Sequence, residues 1–121
     1  MAKHVAVKMR RLVRRVDFLS LKEQGQRVMT QGFVLQWRDM ADEAGLAVGF
    51  TASGALGGAV QRNRARRRLK AAFDAVCRLN PDAKGQGKWL VMVAKMPIFK
   101  MDYVYLVADM RKALREAGII C

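Results

Sequence analysis

Apolar and polar positions alternate at residues 33–38, with Phe33, Leu35 and Trp37 on one face of an extended segment and Val34, Gln36 and Arg38 on the other. That alternation predicts a strand, and the polar stretch Asp39 to Gly45 predicts the turn after it. Leu46 to Ala52 then reads as an antiparallel return strand, with Arg27 to Thr30 as a short extra one. The period changes at Ala59. From there to Leu79, residues Ala65, Leu69, Ala72, Phe73 and Val76 recur three or four apart and form one helical stripe, which Pro81 helps to end. Between strand and helix, Ser53, Gly54, Gly57 and Gly58 predict a loop that allows close backbone approach. Upstream, Asp17 can cap a short helix through Glu23 or Gln24, with Gly25 suited to a left-handed residue after it and Phe18 and Leu21 sharing its buried side.

Downstream, Asp82 to Lys88 is a Gly/Lys loop, and the apolar run Trp89 to Ala94 is short enough for a buried strand, which Pro97 closes. Asp102 then caps a last helix with Tyr103, Leu106, Val107, Met110 and Leu114 as its core face, ending at Gly118. A strand-helix-strand crossover with helices on one face predicts an α/β (α+β) two-layer sandwich around a mixed sheet of about four strands. At 121 residues the chain suits one domain.

Charge changes the picture. Lys and Arg number 23 against 10 Asp and Glu, a net charge of +13, and such an imbalance points to a polyanionic partner. Residues 1–15 and residues 61–70 each carry six Lys or Arg and no acid. The first group lacks a periodic apolar face and reads as a basic arm, with Arg10, Arg11, Arg14 and Arg15 at its end. The second lies on the predicted long helix. About 100° per residue from Leu69, residues Asn63, Arg64, Arg67, Arg68 and Lys70 point sideways or outward, and Arg62 falls nearer the buried side. Like charges four residues apart, such as Arg64 and Arg68, each cost a helix a few tenths of a kcal/mol, which phosphates would offset.

Other chemistries find little support. The single histidine, His4, lies in the arm, no Cys/His cluster has zinc-site spacing, and the acids are scattered, so neither a paired carboxylate nor a triad emerges. GALGG at 54–58 lacks the lysine and hydroxyl that follow a phosphate loop. Cys77 fits a small buried apolar position, and two cysteines do not suggest a disulfide framework. The absence of a signal-like apolar run or a stretch of ~20 apolar residues leads to the expectation of a cytoplasmic protein without membrane contact.

The stretch Val48-Gly-Phe-Thr-Ala-Ser53, followed by Gly57 and then Ala59-Val-Gln-Arg-Asn-Arg-Ala-Arg-Arg-Arg-Leu-Lys-Ala-Ala-Phe73, resembles the signature of bacterial ribonuclease P proteins, with Arg62-Asn63-Arg64 as its core. Arg10-Arg-Leu12, Asp17-Phe18 and Phe33-Val-Leu35 extend the resemblance over nearly the whole chain. It implies a left-handed crossover, against the usual rule. It also implies the role of a protein subunit that joins a catalytic RNA in removing the 5′ leader of precursor tRNA, one protein per RNA, with magnesium held mainly by the RNA. By the same resemblance Arg62, Asn63, Arg64, Arg66, Arg67, Arg68 and Lys70 meet the catalytic RNA. Phe18, Lys22, Val34 and Gln36 fall in a cleft for the single-stranded leader, and Arg10, Arg11, Arg14 and Arg15 form an RNA-binding arm. This chain departs from the family at Gln36, where an aromatic is common, and at Lys22, where phenylalanine can occur. Gly54 and Ala55 replace a frequent lysine pair, and Gly58 a frequent asparagine. Two rivals remain at this stage: a ribosomal or other structural-RNA-binding module, from which only the 48–73 motif separates the chain, and a DNA-binding domain, which would want base-reading side chains on a helix that here is nearly all Arg and Lys.

Overall fold

A computed structural model describes residues 9–43, 45–80 and 87–120. The first eight residues of the arm, Ala44 in the predicted turn, Pro81 and most of the Gly/Lys loop (82–86), and Cys121 lie outside the described residues. The elements run β1 (Met9–Arg11), α1 (Arg15–Gln24), β2 (Gln26–Met29), β3 (Phe33–Asp39), β4 (Leu46–Thr51), a 3₁₀ turn (Gly54–Leu56), α2 (Ala59–Leu79), β5 (Lys88–Ala94), a second 3₁₀ turn (Met96–Phe99) and α3 (Tyr103–Glu116). The sheet has five strands in the order β1-β4-β5-β3-β2, with β1, β4 and β5 parallel and β3 and β2 antiparallel to their neighbours.

Two expectations about this sheet are corrected. β4 is not the antiparallel return of β3, because β5 sits between them, antiparallel to β3 and parallel to β4. The all-apolar Leu90-Val-Met92 core of β5 suits the centre, where Leu90 and Met92 are buried on one face and Val91 on the other. The crossover of the fold is therefore β4-α2-β5. Nor do the helices share one face: α2 and α3 cover Phe33, Leu35, Leu46, Val48, Leu90 and Met92, while Leu21 of α1 packs with Leu12, Ala47 and Val91 on the opposite face. The end of the predicted arm is itself a strand, Met9–Arg11, paired with β4.

The α2 stripe is buried as its period predicts, at Ala65, Leu69, Ala72, Phe73 and Val76. Leu69 and Phe73 alone are worth about 1.5–3 kcal/mol each in area removed from water, and Phe73 meets Phe50 of β4 edge to face at 5.8 Å. The glycine loop does more than permit close approach: its 3₁₀ turn drops Leu56 into the core, and Gly57 takes a positive φ of 126°.

Helix ends differ in detail from expectation. α1 starts at Arg15, with Asp17 in its first turn rather than at its cap, where a carboxylate still favours the helix dipole. Gly25 is extended (φ −82°), not left-handed. A Cβ there would lie 2.5 Å from the Leu21 carbonyl oxygen and 2.9 Å from that of Trp37, so the glycine admits close packing of two backbones. Asp102 occupies the α3 cap position but makes no side-chain capping bond. Gly118 is left-handed (φ 79°), with its N–H donating to Arg115 O and the Ile119 N–H to Leu114 O, the paired bonds of a Schellman ending. Tyr103, expected in the core, is 45% exposed, because it opens α3 before the helix settles onto the sheet at Leu106 and Met110.

Candidate RNA-binding faces

The long helix carries its cations on the side away from the sheet. Arg64, Arg67 and Lys70 are exposed and Arg66 is half-buried, with Arg66 Nη1 donating to Asn63 Oδ1 at 3.3 Å. Among the described residues, none of Arg64, Arg66 and Arg67 forms an ion pair, whereas Lys70 bonds Asp74 at 2.8 Å. Arg62 is half-buried, as its place near the apolar stripe implies, and its Nε finds no acceptor in the structure described. Arg11 of β1 joins this side: with Phe50, Asn63, Arg66, Arg67 and Lys70 it lines an open groove of about 500 Å³. Sequence spacing could not bring Arg11 here, because the parallel β1–β4 pairing is non-local.

Arg68 does not behave as expected from its helical angle. It is half-buried, and its guanidinium donates to Ile98 O at 2.8 Å and Met101 O at 2.6 Å. The charge ties α2 to the segment that leads into α3. Cys77, on the same helix, is half-buried, and burial pushes its thiol up to about 11, with the Asp74 charge adding to the rise; it stays a neutral thiol near neutral pH.

The other sheet face carries a trough. Register places Thr51, Val93, Val34 and Met29 in one row across β4, β5, β3 and β2, and Gly49, Val91, Gln36 and Arg27 in the next. Thr51, Val93, Val34 and Gln36 are all half-buried, because α1 covers only part of this face. Phe18 of α1 stands over Gly49, where a Cβ would lie 2.6 Å from its ring. Arg38 Nη1 donates to Ser20 Oγ at 2.9 Å and braces α1 against β3. Phe18, Val34 and Gln36 therefore lie on this same face of the sheet, while Lys22 is exposed on α1. Gly49 and Thr51 were missed in the sequence, although a glycine inside an apolar strand is a signal of close approach.

Arg14 and Arg15 are exposed at the start of α1, but Arg10 is committed internally. Its guanidinium donates to the Glu43 carboxylate from Nη2 at 2.7 Å and Nε at 3.1 Å and lies 5.9 Å from the Trp89 ring centre. Trp89 Nε1 also donates to Glu43, at 3.0 Å. The Arg10 hydrogen bonds hold the Glu43 carboxyl below its usual range, against the opposing effect of burial. A lowered folded pKa contributes stability that is present above the unfolded value near ~4.3 and is lost as pH falls through the folded value. Glu43→Gln should therefore cost about 1 kcal/mol at pH 7. The gap from the parent should narrow below about pH 4, as urea unfolding at pH 7 and pH 3 would measure; an equal gap at both would show that the charge is not what clips β1 to the sheet.

A family model for ribonuclease P matches residues 7–118. The chain belongs to the ribonuclease P protein family. It is 37% identical over 109 residues to the ribonuclease P protein component of Gluconacetobacter diazotrophicus, covering 90% of this chain and 91% of that one. It is 31% identical over 121 residues to that of Paramagnetospirillum magneticum, covering 96% and 88%. Its fold matches the Staphylococcus aureus RNase P protein with a TM-score of 0.73 at 21% identity, over 92% of this chain and 97% of that one.

The chain is thus a protein subunit of ribonuclease P, the tRNA-processing endoribonuclease in which RNA carries catalysis. The rival readings as a ribosomal or DNA-binding module are not favoured. Among the described residues, no three His, Cys, Asp or Glu side chains gather to hold a metal ion. No described helix is long and apolar enough to cross a membrane.

Proposed function

We propose that the two sheet faces divide the work of this ribonuclease P protein, the α2 side holding the catalytic RNA and the α1 side the 5′ leader of precursor tRNA. The observation that carries the reading is the convergence of Arg11 from β1 with Asn63, Arg66, Arg67 and Lys70 from α2 around one groove. Five side chains from two distant segments there present donors and positive charge, which suits contact with phosphates. Arg62 and Arg64 extend that surface along the first turns of α2. Arg68 serves it indirectly, by fixing the helix.

On the opposite face, a single strand fits the trough because unpaired bases can stack on an aromatic while cations track the backbone. Phe18 supplies the ring, Val34 and Val93 an apolar floor, Gln36 a hydrogen-bonding group, and Arg27 and Lys22 cations at the rim. Gln36 and Lys22, in place of aromatics, shift the balance from stacking toward hydrogen bonding and charge. Gly54, Ala55 and Gly58 offer backbone rather than side chains beside α2. Arg14 and Arg15, exposed at the start of α1, meet backbone phosphates. In this reading the chain works as one RNA-binding domain in the cytoplasm, one copy per RNA, and magnesium is held mainly by the RNA.

The test is cleavage of precursor tRNA. Protein alone should leave it intact, and protein added to the cognate catalytic RNA at low magnesium should restore cleavage. Phe18→Leu should weaken binding of leader-bearing precursor by roughly five- to 150-fold, the range of one lost stack, with mature tRNA unaffected. Robust cleavage by RNA-free protein would overturn the division of labour, and equal losses for precursor and mature tRNA would remove the leader from the trough.

A further inference from the structure

A second groove, of about 450 Å³, lies between α2 and the start of α3, lined by Val60, Arg64, Arg67, Arg68, Ala71 and Tyr103. Three features set it apart from an ordinary surface crevice. The Tyr103 hydroxyl donates to the Ala71 carbonyl at 3.1 Å, so the ring is fixed in place although the residue is 45% exposed. Arg68 bonds Ile98 and Met101 just before Tyr103, which holds the α3 start rigidly against α2. Arg64 and Arg67, without acidic partners among the described residues, flank the ring. A pinned aromatic face beside two unpaired guanidinium groups is the arrangement that takes a base by stacking and its phosphate by charge. Ala71 and Val60 add small apolar surface to the lining.

We propose that this groove holds one unpaired nucleotide of the ribonuclease P RNA, its base stacked on Tyr103 and its phosphate on Arg64 and Arg67. The inference rests on the reading of α2 as the catalytic-RNA face and extends that face onto α3. The RNA subunit, rather than the precursor leader, is the occupant for two reasons. Arg67 lines both this groove and the one shared with Arg11, so the two surfaces are continuous. The trough beside Phe18 lies on the other side of the sheet.

The experiment measures affinity for the RNA subunit, its dependence on salt, and the thermal midpoint of the free protein. Tyr103→Leu should weaken RNA-subunit binding by roughly five- to 150-fold with the salt slope unchanged, because no phosphate contact is lost. Tyr103→Phe and Tyr103→Trp keep a ring and should stay within about threefold of the parent, which guards against a Leu variant that merely loosens α3. Arg64→Gln/Arg67→Gln in parallel reports on the α2 reading itself. Tyr103→Leu binding within twofold of the parent, while the double variant lowers the slope, would overturn the nucleotide site and leave the α2 reading standing. Unchanged behaviour of both would overturn the two together. A loss with Phe as large as with Leu would assign the effect to the hydroxyl bond and overturn stacking. A loss confined to precursor binding by the assembled enzyme would move the site to the substrate and likewise overturn the proposal.

Discussion

Arg68→Ala should destabilise the protein by about 2–4 kcal/mol, the largest expected effect on folding among the cations of α2. Each of its two hydrogen bonds joins a charged donor to a carbonyl, a pairing worth about 1.5–3 kcal/mol when broken in a buried setting, and partial exposure reduces the sum. The guanidinium bridges Ile98 O and Met101 O, two acceptors 30 and 33 residues away in sequence, so its loss frees the segment that positions α3. The thermal midpoint should fall on the order of 10 °C. Arg68→Lys should recover only part of this, since one ammonium cannot span both carbonyls as a planar fork does. Arg67→Ala, an exposed change with no internal partner, should cost under about 0.5 kcal/mol. If Arg68→Ala left the midpoint unchanged and instead flattened the salt dependence of RNA binding, Arg68 would be an RNA contact and its structural role would fail.

Arg68 also marks where sequence reasoning runs out. Its helical angle relative to Leu69 is sideways, and on a bare helix a sideways arginine is solvated. What captures it is the 3₁₀ turn at Met96–Phe99, which packs beside α2 only because β5 ends there. The same limit explains the sheet. Within-element periods were legible: the faces of β3, the stripe of α2, and the Leu106, Met110 and Leu114 face of α3 all emerge as read. Pairing between elements was not, because the seven residues from Asp39 to Gly45 are too many to force a hairpin and β5 lies 37 residues beyond β4. Once β5 takes the centre, both sheet faces need cover, and α1 is drawn to the side opposite α2.

The candidate sites were legible to different degrees for the same reason. The cations of α2 lie on one element, so their density in sequence is their density in space. The trough needs α1, β3, β4 and β5 together, and only the resemblance put Phe18 beside Val34 and Gln36. Its floor at Val93 was hidden, since in a strand buried on both faces the alternation that would single out Val91 and Val93 disappears into a uniform apolar run. Tyr103 was read as core from its spacing to Leu106 and Met110. A helix's first turn often overhangs the layer it packs on, and that overhang is what opens the second groove.

The largest functional effect is expected from removing two exposed charges of α2 together. Arg64 and Arg67 are unpaired among the described residues, and glutamine nearly matches the helix propensity of arginine, so Arg64→Gln/Arg67→Gln should fold with a midpoint close to the parent. Removing the like-charge pairs of Arg64 with Arg67 and Arg68, and of Arg67 with Lys70, relieves a few tenths of a kcal/mol and works in the same direction. Binding should respond very differently. Each phosphate neutralised by an arginine releases counterion, so losing two contacts should flatten the slope of log affinity against log salt by about 1.4–1.8. The affinity gap between parent and variant should then be widest at low salt and shrink as salt rises, a pattern that a folding defect would not produce. Titrating both proteins with the catalytic RNA across several salt concentrations measures it directly. Parallel lines with intact folding would mean that the cations of α2 are only a solvated face, and the RNA surface would have to be sought on the Arg14 and Arg15 side of the sheet.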